Sequence, residues 1–213
     1  MTKRRWGLLV IFVVSLVFLI WEMPRNFHAS LIQAKHVVRK LETALPRPKD
    51  GAPTPIEKIA GEHPLRRTYY YHFDAKVPSE VRPAFKKAVA VYNQTGAVRL
   101  IPGKPQGRQN GITFFTYHRE ADDRRPDYLE LGEGGPEIEH YVGLGTYTIN
   151  RAHAGMNLAH PQTGIRTSVA IHEVGHAIGL DHSQSRRSVM YHMDQGHLKL
   201  SAADLKTLHA LYI

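Results

Sequence analysis

The residues with the most legible chemistry lie in Ile171-His172-Glu173-Val174-Gly175-His176-Ala177-Ile178-Gly179-Leu180-Asp181-His182, an H-E-x-x-H motif extended to H-E-x-x-H-x-x-G-x-x-H. On an α-helix, His172 and His176 stand at i and i+4 and project from one face, so both imidazoles can reach one ion. Gly179 falls where such a helix should stop, and a glycine can take the left-handed conformation that turns a chain there. That turn would bring His182 back as a third nitrogen ligand. Three protein ligands leave a tetrahedral position for water, which is the arrangement of one catalytic Zn2+ rather than a structural one. Glu173 adjoins the first ligand at a different angle around the helix. It is placed to touch the bound water as a general base, not the metal. The chain holds 14 histidines, so chance spacing has to be weighed. A buried, hydrogen-bonded histidine explains one such position, not three together with the glutamate and the glycine.

These residues need elements to hold them. Thr167 or Ser168 is the expected cap of the ligand helix, with Val169, Ile171, Val174 and Ile178 facing the core. Upstream, Arg67–Phe73, Val98–Ile101 and Gly111–Tyr117 read as strands. Between the first two, Ser79 should cap a helix beginning at Glu80. Pro83 lies in its first turn, and Ala84, Ala88, Val91 and Tyr92 form its buried side. Residues 118–140 read as a polar loop holding Asp122, Asp123, Asp127, Glu130, Glu133, Glu137 and Glu139. Clustered carboxylates could hold Ca2+, but no regular ligand spacing supports it, and a solvated loop is the expectation. His118, His140, His153 and His160 are expected at the surface or in hydrogen bonds rather than at a second zinc. Tyr141–Asn150 reads as another strand. The last helix opens at Ser201, paired with Asp204 as in a capping box, and buries Leu205, Leu208 and Leu211.

At these residues the chain resembles the metzincin clan of zinc endopeptidases. Ser188-Val189-Met190-Tyr191-His192-Met193 follows the ligands, and Met190 fits the methionine turn that metzincins carry beneath the zinc. Gly-Leu-Asp-His-Ser followed by Val-Met-Tyr is similar to the matrixin branch of zinc metallopeptidases. The specific likeness covers residues 167–212. It implies an α+β fold: a twisted, mostly parallel sheet with an antiparallel edge strand, a zinc-binding helix and a C-terminal helix. In the resembled fold the edge strand runs above the cleft and pairs with substrate backbone; Tyr141–Asn150 is the candidate for it. Tyr191 and His192 should line the substrate cleft. In another metzincin branch a tyrosine two places after the methionine binds zinc, and His192 holds that place here; it is expected to approach the metal or the oxyanion. The chain also departs from the matrixin pattern. His192 stands where matrixins carry proline. Ala203 replaces the aspartate that receives the new N-terminal amine on activation, and no cysteine exists for a thiolate latch.

At 213 residues the chain suits one domain with appendages, and a hydrophobic fraction of 42% is enough for a core. The absence of cysteine excludes disulfides and cysteine zinc sites. A formal charge of +9 favours anionic partners such as a cell-envelope polymer. No nucleic-acid module accompanies it, so specific nucleic-acid binding is not expected. Lys3-Arg4-Arg5 precedes an apolar run from Trp6 to Trp21, so residues 1–23 read as a signal-anchor transmembrane helix. Residues 24–64 read as a helical stalk followed by a linker. Leu31, Ala34, Val38, Leu41 and Leu45 form the apolar stripe of the stalk, and Pro46, Pro48, Gly51, Pro53 and Pro55 mark the linker. Residues 65–213 form the protease domain. The expectation is a monomer held on the outer face of the cell membrane, or secreted after signal cleavage, acting on a protein or peptide substrate.

Overall fold

Strand formers at Thr68–Phe73 build β1, which pairs in parallel with β2 (Arg99–Pro102) on one side and β3 (Asn110–Tyr117) on the other. These elements belong to a computed structural model that describes residues 52–121, 129–143 and 145–212. The anchor expected over 1–23 and the stalk helix over 26–45 lie outside the described residues. Among those described, no helix is long and apolar enough to cross a membrane.

Among the described residues there are five helices, the last of them after the ligands. They are α1 (Lys58–Gly61), α2 (Arg82–Gln94), α3 (Pro161–Gly164), α4 (Thr167–Ala177) and α5 (Ala202–Leu211). Parallel strands need a crossover, and α2 supplies it between β1 and β2. It opens at Arg82 rather than Glu80, with Val81 and not Ser79 at the cap position and no side-chain cap bond. A turn fills Pro78–Val81, and the wholly buried Val81 fixes the entry by packing instead. Phe85 then stacks on Phe114 of β3 at 4.5 Å, with Phe73 against both rings. This aromatic cluster fastens helix to sheet.

The long strand β6 (Tyr147–Asn157) runs parallel to β3. Its other side carries two short antiparallel strands in succession, β4 (Gly132–Gly135) and β5 (Ile138–Tyr141). The sheet order is therefore β2-β1-β3-β6-β4, mostly parallel with an antiparallel edge, as expected. The identity of that edge differs from expectation. Tyr141–Asn150 is divided between the end of β5, a turn and the interior strand β6. The edge nearest the ligand helix is β4, inside the stretch read as a polar loop. Its sequence Gly-Glu-Gly-Gly carries no strand formers.

A buried polar chain ties the sheet to the end of α4. Asn150 of β6 donates to the Tyr69 hydroxyl and to the Ala177 carbonyl, and Tyr212 donates to the Ile178 carbonyl. The Tyr69 and Tyr212 hydroxyls meet at 2.6 Å. Terminal helix carbonyls need such partners when buried. Burial pushes the Tyr69 phenol up to about 12, so it stays protonated and able to donate.

Residues 52–64, expected as linker, belong to the folded unit spanning Pro48–Ile213. Glu57 donates its N–H to the Gly179 carbonyl, and the Pro55 carbonyl accepts from Asp181, each at 2.9 Å, while Ile56 bridges antiparallel to Leu180. The prolines do not prevent this, because the ladder uses only the carbonyl of Pro55. Thr54 is buried and donates to Asp204, and its own carbonyl accepts from Thr207.

Candidate metal centre

The ligand helix α4 is one of the most apolar stretches of the chain, with Val169, Ile171 and Val174 buried against α2, β4 and β6. Its N-cap position is Arg166, with no side-chain cap bond, so neither Thr167 nor Ser168 caps it. Packing of these buried residues sets the helix start. At the other end Gly179 has φ +100°, a left-handed turn that a Cβ would strain, and the chain reverses there toward His182.

That reversal brings three Nε2 atoms together: His172 to His176 at 3.1 Å, and His182 to each of the others at 3.3 Å. Tetrahedral zinc bound at about 2.0–2.1 Å requires nitrogens roughly 3.3–3.4 Å apart, so the spacing fits. The opposite ring nitrogens explain which way the lone pairs face. His172 Nδ1 lies 2.8 Å from the Val189 carbonyl and His176 Nδ1 lies 3.1 Å from Glu57 Oε1. Carbonyl and carboxylate only accept, so each Nδ1 carries the hydrogen and each Nε2 points a bare lone pair inward. Burial first, and the repulsion that a protonated His176 would add second, hold the His172 ring down at about 4, hence neutral. Lone pairs aimed at one point repel unless a cation lies between them.

Glu173 lies beside this cluster and faces the cleft. Burial, reinforced by the charges of Glu130 and Glu133, raises its carboxyl well above the ordinary range. Arg119 offsets those two charges, reaching Glu130 at 2.6 Å and Glu133 at 3.3 Å. The edge strand approaches Glu173 through its glycines. A Cβ on Gly132 would sit 2.5 Å from Glu173 Oε1, and one on Gly134 would sit 2.4 Å from the Glu173 carbonyl oxygen. Glycine is what lets β4 close over the helix.

Met190 is fully buried beneath α4, where a Cβ on Gly175 would meet its Sδ at 2.4 Å. Val189, next to it, supplies the carbonyl that orients His172. The turn is anchored by Asp204, whose carboxylate accepts from Ser188 Oγ, Val189 N, Ser201 N and Thr54 Oγ1. The expected Ser201–Asp204 capping box is present.

The cleft, of about 680 Å3, is lined by β4 and the segment 192–194, together with Val169 and Arg166. His192 lines it. Tyr191 is not among its lining residues; it bridges to Ser183 and lies under the Arg186 guanidinium. His192 is not in the group of metal-capable atoms formed by His172, His176 and His182. A second metal-capable group among the described residues, Glu57, His176 and Asp181, shares His176 with the first, and His118, His140, His153 and His160 enter neither. His140 instead stacks on His63 at 3.7 Å and meets Thr148 Oγ1, and His160 faces Glu120. The acidic residues Asp122, Asp123 and Asp127 of the calcium expectation lie outside the described residues, while Glu130 and Glu133 are engaged by Arg119.

Sequence reasoning missed Glu57, Thr54 and β4. The first two were hidden among prolines that read as linker. The third had only its glycines as a signal, and these mark close approach rather than a strand.

The Matrixin model of peptidase family M10 matches residues 70–213. Over 48 residues the chain is 42% identical to the macrophage metalloelastase of Oryctolagus cuniculus. That match takes in 21% of this chain and 10% of the relative, so the chain spans about a tenth of that protein's length.

Proposed function

We propose that this chain, which belongs to the matrixin family, is a zinc-dependent endopeptidase that hydrolyses internal peptide bonds of protein substrates. The observation that carries this reading is the convergence of three Nε2 atoms within 3.1–3.3 Å of one another beside a buried glutamate. His172, His176 and His182 would hold the ion. When bound, zinc supplies a Lewis acid that acidifies a water and polarises the scissile carbonyl.

The remaining steps fall to the chain's own groups. Glu173 accepts the proton of the attacking water and later delivers it to the leaving amine. Its raised affinity for protons suits holding one between the two events. The outer edge of β4 offers unpaired backbone groups above the cleft, which favours an extended peptide added as a further strand. Side-chain selection falls to the cleft lining at Val169, His192 and Met193. Met190 supports the ligand helix from below. The apolar run at residues 6–21 favours export, with the catalytic unit on the outer face of the membrane or released from it.

The test is cleavage of a denatured protein by the full chain, with chelator, with zinc restored, and with Glu173→Ala. Chelator should stop cleavage and zinc should restore it. The alanine variant should bind zinc yet lose about 10²–10⁴-fold in rate. Cleavage that survives both chelator and Glu173→Ala would refute the assignment.

A further inference from the structure

Glu57 lies outside the histidine motif and before the family match, yet its carboxylate reaches one of the three converging rings. We propose that Glu57 is a positioning residue of the metal centre, accepting the Nδ1 hydrogen of His176 and so fixing the ring that presents Nε2 to the ion. The inference rests on reading the three rings as a zinc site.

The carboxylate is not carried on a loose arm. Its own backbone N–H is bonded to the Gly179 carbonyl at 2.9 Å, and the Pro55 carbonyl is bonded to Asp181 N at 2.9 Å. Just upstream, Thr54 is tied to Asp204 and Thr207 of α5. Just downstream, the Glu57 carbonyl accepts from Ala60 and Gly61 as α1 begins. The residue is thus bonded to the turn that follows α4 and held at both flanks, which fixes where Oε1 can be. The ring it meets has a side chain only 8% exposed, while Glu57 is 29% exposed at the cleft margin.

The chemistry follows from what each atom can do. An ionised carboxylate only accepts, so it selects the tautomer with hydrogen on Nδ1 and leaves Nε2 free to bind. It also returns negative charge through the ring, making the imidazole a stronger donor to a divalent cation. His172 receives the weaker form of the same help, from the Val189 carbonyl. The carboxylate therefore serves the central ligand of the motif.

Full-length wild type, Glu57→Gln and Glu57→Ala distinguish this role from two others. Zinc affinity is read by competition with a chromophoric chelator, ligand geometry by the visible spectrum of the Co2+ form, and fold by urea unfolding in excess chelator. We expect Glu57→Ala to weaken zinc binding about 10–100-fold and to alter the Co2+ spectrum. Its metal-free unfolding should lose less free energy than its zinc binding does, and its KM at saturating zinc should match wild type. Glu57→Gln should recover most of the affinity, because the amide oxygen still accepts from Nδ1. Zinc affinity of Glu57→Ala within about twofold of wild type would overturn the proposal. A raised KM with unchanged zinc affinity would overturn it in favour of a substrate contact. A loss of metal-free stability matching the loss of affinity would overturn it in favour of a purely structural strap. If wild type and variants show the expected zinc affinities but no peptide is cut, the endopeptidase reading fails and the positioning role stands.

Discussion

Replacing Asp204 with alanine should remove a large share of the stability of the folded unit. The side chain is fully buried, and its two oxygens accept from Thr54 Oγ1, Ser188 Oγ, Ser201 N and, at 3.3 Å, Val189 N. Three of these bonds are short, and a hydrogen bond to a charged group contributes about 1.5–3 kcal/mol. The two hydroxyls can rotate toward other acceptors, which holds the loss to the lower end of the sum, about 4–5 kcal/mol. That is a large share of the 5–15 kcal/mol typical of a domain, taken here as a rough yardstick. Asp204→Asn keeps one acceptor oxygen but turns an amide toward donors on the other side, so about half the loss is expected. The assay is urea unfolding in excess chelator, which removes the linkage between metal binding and folding. Far-UV circular dichroism is the suitable probe, because both tryptophans, Trp6 and Trp21, lie in the N-terminal apolar run. A loss below about 1.5 kcal/mol for alanine, or an asparagine variant as damaged as the alanine one, would refute the reasoning.

Other consequences are open to direct measurement. Burial holds the folded His172 ring at about 4 against an ordinary 6.5, so between these values the unfolded chain binds the extra proton. The raised Glu173 carboxyl contributes with the opposite sign in this window, so the measurement belongs in a Glu173→Gln background. There, stability in chelator should rise with pH and be lost as pH falls from about 6.5 to 4, by up to about 3 kcal/mol, and a flat profile would contradict the burial of this ring. Gly134→Ala puts a Cβ against the backbone of Glu173 and must push β4 outward. It should cut kcat/KM at least about tenfold while zinc content stays constant, and unchanged kcat/KM would show that the edge strand does not guide substrate. Tyr212→Phe removes the donor to the buried Ile178 carbonyl and leaves the Tyr69 hydroxyl without its acceptor. It should cost about 1–3 kcal/mol by urea unfolding, and no change would mean that water replaces both contacts.

The parts of this molecule that could be read from sequence are those in which one residue type has one use. The H-E-x-x-H helix, the glycine that ends it and the Ser201–Asp204 box specify their own geometry. The aromatic strands β1 and β3 announce themselves by composition. The edge strand did not, because β4 is built for access: its glycines make room for Glu173, and a sequence chosen for empty space resembles a loop. The segment Thr54–Glu57 stayed hidden for a different reason. Its bonds to α5, to His176 and to the turn after α4 reach residues more than a hundred positions away, and the prolines on either side of Thr54 argue locally for a linker. The helix caps failed for a third reason. Val81 and the α4 core residues are buried deeply enough that packing chooses the helix start without a capping side chain.

The strap at residues 54–57 also decides where this chain can be shortened. A fragment begun at the family-matched border, near Tyr70, would keep every zinc-binding imidazole. It would nonetheless lose the carboxylate behind His176 and one of the hydroxyls that Asp204 holds. Such a truncated protein would carry the full signature in its sequence and a slackened centre in solution. Expression boundaries for this chain therefore belong upstream of Thr54, at a place no motif marks.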